Sequence, residues 1–280
     1  MERKSKTPLV SVVITTKNEA RHIRNCLESI KKQTYPLDNI EIIVVDNKSS
    51  DNTVKIAMEF TDKVFNMGPE RSEQRNFGVK KSRGKYILYL DADMILSRNL
   101  IRECVNKCES EGCIALYIPE RIIGSGFWIK VRDFERSFYD ATCIDAVRFV
   151  VKEKFQETSG FDLSLAGTED WDLDRKIRKI GKVGIVEAPL YHDEGEFKLK
   201  KYVEKKNYYF RTIDRYIQKW GKSDPIVKKQ LAPYYRLFSV FVENGKWKKL
   251  IRHPILALCM YYLRFNVALA YLAKSRHPSK

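Results

Sequence analysis

The chain has 280 residues, 44% of them hydrophobic and 31% charged, a composition that suits a folded protein with a full core and excludes a disordered or low-complexity chain. A formal charge of +16 points to acidic partners: nucleotide phosphates, anionic lipid or nucleic acid. Six cysteines without a CxxC pair or a histidine at ligand spacing argue against a zinc module and fit a reducing compartment.

Met1–Lys6 leads straight into the first apolar run with no hydrophobic leader ahead of it, so a cytosolic setting is expected. Residues 9–16 are β-branched and read as a strand. Residues 21–33 carry Ile23, Leu27 and Ile30 at helical spacing. Residues 40–45 form a second strand ending at Asp46, and 47–52 a turn that caps a helix over 54–60. A short strand over 63–66, a polar-faced helix over 71–82 and a buried strand over 86–90 follow. This βαβαβαβ pattern predicts an α/β fold, a parallel sheet with helices on both faces. Cys104 and Cys108, one helical turn apart, read as small buried residues.

The middle is less regular. It predicts strands over 114–119 and 146–151 and helices over 127–139 and 171–180, the last with Leu173, Ile177 and Ile180 on one face. A strand near 183–186 leads to Tyr191 and His192, and Asp193-Glu194-Gly195 reads as a polar turn. From 198 onward the chain turns basic and aromatic, broken by Pro225, Pro233 and Pro254. Two regions are expected, 1–197 and 198–280.

The sharpest local feature is Asp91-Ala92-Asp93, at the end of the apolar run Tyr86-Ile87-Leu88-Tyr89-Leu90. Two carboxylates one residue apart beside a core are costly unless a cation or ligand sits with them. The carboxyl end of a strand in an open α/β sheet is where ligands bind. Oxygen ligands of this kind suit Mg²⁺ or Mn²⁺ with substrate phosphates. The plainer alternative is an acidic turn.

Four segments then stand in order. They are Val12-Val13-Ile14-Thr15-Thr16-Lys17-Asn18-Glu19; Val44-Val45-Asp46-Asn47 with Ser49, Ser50, Asp51 and Thr53; Arg75-Asn76-Phe77-Gly78 leading to Leu90-Asp91-Ala92-Asp93; and Gly160-Phe161-Asp162 leading to Thr168-Glu169-Asp170-Trp171-Asp172-Leu173. Together they resemble the inverting family 2 glycosyltransferases of the GT-A fold, over roughly residues 9–195. The resemblance implies a Rossmann-like, mixed but mostly parallel sheet. It implies that Thr15, Lys17 and Glu19 line the nucleotide pocket, that Asp46 contacts the base, and that Arg75 reaches the nucleotide side of the donor. Asp91 would lie near ribose and metal, Asp93 would ligate the metal, and Asp170 would be the catalytic base, with Glu169 on the acceptor. His192 resembles the late histidine that such enzymes use on metal or phosphate. The Gln-x-x-Arg-Trp element of processive synthases is absent after Asp170, which implies one sugar per encounter.

Simpler roles stand beside these. Glu169, Asp170 and Asp172 suit a helix's first turn, where the dipole favours negative charge. Asp46 suits a turn, Arg75 could pair with a neighbour on its own helix, and Trp171 is either core or an acceptor platform.

Residues 255–273 are nearly all apolar, approaching the ~20 residues that span a bilayer. Arg264 at the centre costs roughly 2.5–3.5 kcal/mol on insertion, so hydropathy leaves spanning, in-plane and buried helices open. The flanking Lys246, Trp247, Lys248, Lys249, Arg252, Lys274, Arg276 and Lys280 favour a membrane surface. Residues 198–220 interleave Tyr202, Lys205, Lys206, Tyr208, Tyr209, Arg211, Arg215 and Tyr216, a pattern that usually presents a solvated face and is also able to cradle a lipid-linked phosphate.

The expectation is a Mn²⁺- or Mg²⁺-dependent inverting glycosyltransferase. Its donor would be a UDP- or GDP-linked sugar and its acceptor lipid-linked or saccharide. It would work at the cytoplasmic face of the cell membrane, with a homodimer through the C-terminal helices as a further option and no nucleic-acid partner. The rivals are a nucleotidyltransferase, although no glycine follows the first strand, and a non-catalytic basic module that binds membrane or nucleic acid.

Overall fold

The computed structural model describes residues 7–209 and 212–276, with side chains described for 7–204 and 212–269. The side chains of Lys205, Lys206, Tyr208, Tyr209, Arg211, Lys274, Arg276 and Lys280, and all of Met1–Lys6, lie outside the described residues.

Ten strands are present among them: β1 (Val10–Thr16), β2 (Ile40–Asp46), β3 (Val64–Asn66), β4 (Tyr86–Asp91), β5 (Met94–Leu96), β6 (Ala115–Tyr117), β7 (Glu120–Ser125), β8 (Phe149–Val151), β9 (Val183–Ile185) and β10 (Leu190–Glu196). Seven form one sheet in the order β3-β2-β1-β4-β8-β6-β9. β1 to β4 are parallel to one another, whereas β8 runs antiparallel to both β4 and β6. The sheet is therefore mixed and mostly parallel.

Side-chain alternation builds a core on each face. Val12 and Ile14 of β1, Val44 of β2 and Leu88 and Leu90 of β4 face the helices Ile23–Lys31, Thr53–Met58 and Leu100–Glu111. Val13, Ile43, Val45, Ile87 and Tyr89 face the helices Arg71–Lys81, Lys152–Glu157 and Glu169–Ile180. Gly78 sets the second face, because a Cβ there would lie 2.3 Å from Val13. Its absence lets the helix Arg71–Lys81 lie close on β1.

The sequence reading misses a second, three-stranded sheet, β5-β10-β7. Residues 193–195, expected as a turn, continue β10, which pairs antiparallel with β5 and parallel with β7 through an irregularity between Asp193 and Gly195. Partners from distant segments supply the ladder that local turn chemistry masks.

A third core cluster joins the helix Phe127–Arg136 to the C-terminal helices through Phe134, Phe138, Tyr202, Phe241, Met260 and Leu263. Among the described residues no helix is long and apolar enough to cross a membrane. Arg264 is buried and ion-paired with Glu135 at 3.3 Å.

Candidate active site

The strand order reverses at β1. The chain passes from β1 outward to β2 and β3, then returns to place β4 on the other side. Such a switch point opens a crevice at the strands' carboxyl ends. In register there, Thr16 faces Asp46 and Thr15 faces Asp91. A cavity of about 420 Å³ opens at this edge, reached by Thr15, Lys17, Glu19, Asp91, Asp93, Glu169, Asp170 and His192.

Arg75 organises the centre. It is 1% exposed, with its guanidinium 5.2 Å from the Tyr89 ring and 5.1 Å from the Phe161 ring. Its Nη2 donates to Asp91 Oδ1 at 3.1 Å and its Nη1 to Asp170 Oδ1 at 2.9 Å. Burial opposes its charge, but Asp170 and Asp91 outweigh that and hold it protonated. Burial likewise pushes the Asp91 carboxyl upward, and Arg75, Arg71 and Arg148 bring it well below the usual range. Thr15 Oγ1 donates to Asp91 Oδ1 at 3.0 Å. Arg75 is thus a buried bridge between two carboxylates, and Glu73 of its own helix is not its partner among these contacts.

Asn76 ties the later motif to the same helix. Its Nδ2 donates to the Phe161 carbonyl at 2.8 Å, and the Phe161 amide donates to its Oδ1 at 2.9 Å. Gly160, at φ +65°, makes the turn that permits this exchange. The helix Glu169–Ile180 starts just beyond, with Glu169 and Asp170 in its first turn and Leu173 and Ile177 in the core. Burial and the neighbouring Asp170 raise the Glu169 carboxyl, and Glu169 Oε2 meets no hydrogen-bond donor. Trp171 lines the cavity while its Nε1 donates to the Ile144 carbonyl at 3.2 Å.

Asp93 and His192 form the other half. His192 sits on β10 opposite Met94, and the Asp193 amide donates to the Asp93 carbonyl at 2.9 Å. His192 Nε2 lies 3.0 Å from Asp93 Oδ2 and Nδ1 lies 3.1 Å from Glu120 Oε1. Burial lowers the imidazole pKa, yet Asp93 and Glu120 outweigh it and push it up to about 10. The two carboxylates thus favour the protonated ring.

The expected metal trio of Asp91, Asp93 and His192 does not close on one point. Among the described residues no three His, Cys, Asp or Glu side chains do. Asp91 is drawn to Arg75 and Thr15, and Asp93 to His192. The smaller pair fits a divalent ion whose other ligands are phosphate oxygens. An imidazole whose second nitrogen faces a carboxylate has the support that metal-bound histidines use. Asp93 and His192 would hold the ion by displacing the Nε2 proton, with Glu120 behind.

Lys17 is exposed on the rim, and Glu19 lies 2.7 Å from His22 Nδ1. Asp46 is not brought into the cavity. It is buried, and its Oδ2 accepts from the Ser49 amide at 2.7 Å while the Ser49 hydroxyl donates to its Oδ1. Arg75 also stays behind the lining.

Sequence reasoning missed Glu120, Arg148, Arg236 and Arg264, all of which line the cavity. Arg148 Nη2 donates to Glu120 Oε2 at 3.0 Å, and Nη1 meets no acceptor. None sits in a local motif. Arg264 offered one signal, a lone charge in an apolar run.

A model of the family described as Glycosyl transferase family 2 matches residues 11–164. Glycosyltransferase AglE of Haloferax volcanii is 40% identical over 96 residues, 32% of each chain. An uncharacterised glycosyltransferase of Rickettsia prowazekii is 36% identical over 202 residues, 65% of this chain and 63% of that one. The chain thus spans from a third to under two thirds of the length of these curated relatives. The mannosyltransferase PcManGT from Pyrobaculum calidifontis, solved with GDP-Man and Mn²⁺, superposes with a TM-score of 0.61 at 20% identity, covering 99% of this chain and 77% of that one. Staphylococcus aureus TarS 1–349, solved with UDP-GlcNAc, gives 0.56 at 19% identity, covering 82% and 73%. Both likenesses concern the fold.

Proposed function

The chain belongs to glycosyl transferase family 2 and has the family's GT-A type of fold, and on that premise we propose that it moves a sugar from a nucleoside-diphosphate donor to a hydroxyl of a lipid-linked acceptor, inverting the anomeric carbon, at a membrane surface. One observation carries this reading: Arg75 bridges Asp91 and Asp170 at the sheet's switch point.

The donor lies along the edge of Thr15, Lys17 and Glu19, with its diphosphate toward Asp93 and His192. Asp93 and His192 would hold a divalent cation there, which when bound would supply charge neutralisation for the departing nucleoside diphosphate. Asp170, oriented by Arg75, takes the proton of the attacking hydroxyl, a role worth ~10²–10⁴-fold. Attack from the face opposite the diphosphate inverts the configuration in one displacement. Arg148, which lines the same cavity, adds positive charge that suits phosphate oxygens.

The membrane part of the proposal rests on the outer face of the helix Pro254–Arg276. Ile255, Leu258, Tyr262, Phe265 and Leu269 recur at three- and four-residue intervals and are all exposed, Leu258 at 75% and Phe265 at 62%. The basic and aromatic Trp247-Lys248-Lys249 and Arg252 adjoin them. Such a stripe suits a helix lying in the plane of an anionic leaflet. Six free thiols fit the cytoplasmic face.

Incubation with UDP- and GDP-linked sugars plus Mn²⁺ tests the reading. Release of one nucleoside diphosphate, accelerated by a lipid-linked saccharide, is expected. Absence of release from every donor would overturn it.

A further inference from the structure

We infer that the helix Ile213–Trp220 clamps the loop in front of the proposed base, and that Lys219 and Trp220 are positioning residues for Asp170, acting through Asp172. The inference deepens the transferase reading above and rests on it for the role of Asp170.

The clamp uses one helical face. Thr212, Arg215, Tyr216, Lys219 and Trp220 recur at three- and four-residue intervals from the N-cap onward, so they project from the same side. Thr212 Oγ1 accepts from the Ala166 amide at 2.8 Å and donates to the Ala166 carbonyl at 3.0 Å. Arg215 Nη1 donates to the Ser164 carbonyl at 3.0 Å. Lys219 Nζ lies 2.5 Å from Asp162 Oδ2 and 2.8 Å from Asp172 Oδ1, and Trp220 Nε1 donates to that same Asp172 oxygen at 2.9 Å. Tyr216 is buried with Leu165 and Val227, its ring 6.0 Å from that of Trp171.

A loop must find partners for its amides and carbonyls, and here the helix supplies them. Asn76 fixes the loop at Phe161, and the clamp holds it from Asp162 to Ala166. Beyond it, Asp170 and Asp172 stand together in the first turn of the helix Glu169–Ile180. Asp172 is fully buried, and a buried carboxylate is stable only when paired. Lys176 of its own helix lies 3.0 Å from Oδ2; the contacts to Oδ1 come from the clamp. The Arg175 guanidinium, 3.9 Å from the Trp220 ring, fixes the indole in turn. Asp172 therefore anchors the helix start on one side while Arg75 holds the Asp170 carboxylate on the other. Loosening the anchor shifts the first turn, and a reacting group displaced by about an ångström loses rate steeply. The match to the family model ends at Ser164, so the clamp lies beyond it.

Amide exchange of the free protein, followed by mass spectrometry, tests the clamp. Lys219→Met and Thr212→Val should speed exchange over 162–172 at least tenfold and leave β1 and β4 as protected as in wild type. Turnover tests the positioning. Hydrolysis of UDP-GlcNAc, UDP-glucose and GDP-mannose with Mn²⁺ is followed by release of the nucleoside diphosphate, with water in the acceptor's place. Lys219→Met and Trp220→Phe should each lower kcat about tenfold, with the donor KM within twofold of wild type, and Lys219→Arg should recover most of the loss. In an Asp170→Asn background Lys219→Met should cost less than twofold more, because both act through one group. Unchanged exchange over 162–172, unchanged kcat in both variants, or a tenfold loss that persists in the Asp170→Asn background would overturn the inference. Equal acceleration of exchange in β1 and β4 would overturn it too, since the substitution then acts on the whole fold. Absence of release by wild type from every donor would sink the transferase reading instead, and exchange over 162–172 would still decide the clamp.

Discussion

Arg75 and Asp170, 95 residues apart in the chain, are joined by a hydrogen bond of 2.9 Å. The same guanidinium holds Asp91, so one buried cation fixes the donor-side acid and the proposed base relative to each other. Arg75→Lys keeps the charge but cannot span both carboxylates. Transfer should fall about 10²-fold, the loss that follows misplacement of reacting groups by about an ångström. Arg75→Ala leaves two carboxylates without their counter-charge and should cost about 3–5 kcal/mol of stability. Turnover and urea melts on the two variants check both numbers.

Asp170→Asn keeps the shape and most hydrogen bonds but removes the proton acceptor. Transfer to a hydroxyl acceptor should fall ~10²–10⁴-fold, with nucleotide affinity little altered. Single-turnover kinetics with separate donor binding distinguishes the two effects. Near wild-type transfer would show that no base is needed, as when the nucleophile is already an anion.

The exposed stripe should govern vesicle binding without governing stability. Leu258→Asp and Phe265→Asp remove apolar contact and add charge repelled by anionic lipid. Sedimentation with phosphatidylserine vesicles should drop several-fold for each, while melting temperatures stay near wild type. Unchanged sedimentation would assign the stripe to another partner.

Asp174 gives a pH signature. It is 4% exposed, and burial raises its carboxyl to about 6, against 3.8 for the ordinary group. The native state therefore binds this proton more tightly than the unfolded chain. The resulting stability is fully present below about pH 4 and is lost as pH rises through 6. Asp174→Asn removes that dependence and should stabilise the protein at pH 7 by up to about 2–3 kcal/mol relative to its effect at pH 4. Chemical denaturation at both pH values measures the difference.

The parallel half of the fold was legible because β1, β2 and β4 are long and apolar on both faces, and local periodicity alone marks such strands. The second sheet was not. Met94–Leu96 is three residues long, and 193–195 resemble a turn until β5 and β7 supply partners. The acids at the end of β4 drew attention to Asp91 and Asp93, and the family resemblance drew it to Asp170 in the first turn of a helix. Their division into an Arg75 group and a His192 group depends on Glu120 and the second sheet, which sequence spacing does not encode. Arg264 reads as an insertion penalty in sequence and as a paired, cavity-lining cation in the fold, because Glu135 lies 129 residues away.

Calorimetric titration of UDP and GDP, with and without Mn²⁺, into wild type and Asp93→Ala tests the central claim most directly. The account predicts that one nucleotide binds wild type at least tenfold more tightly with Mn²⁺, and that Asp93→Ala loses this gain. Binding of neither nucleotide, or a Mn²⁺ gain undiminished in Asp93→Ala, would contradict it.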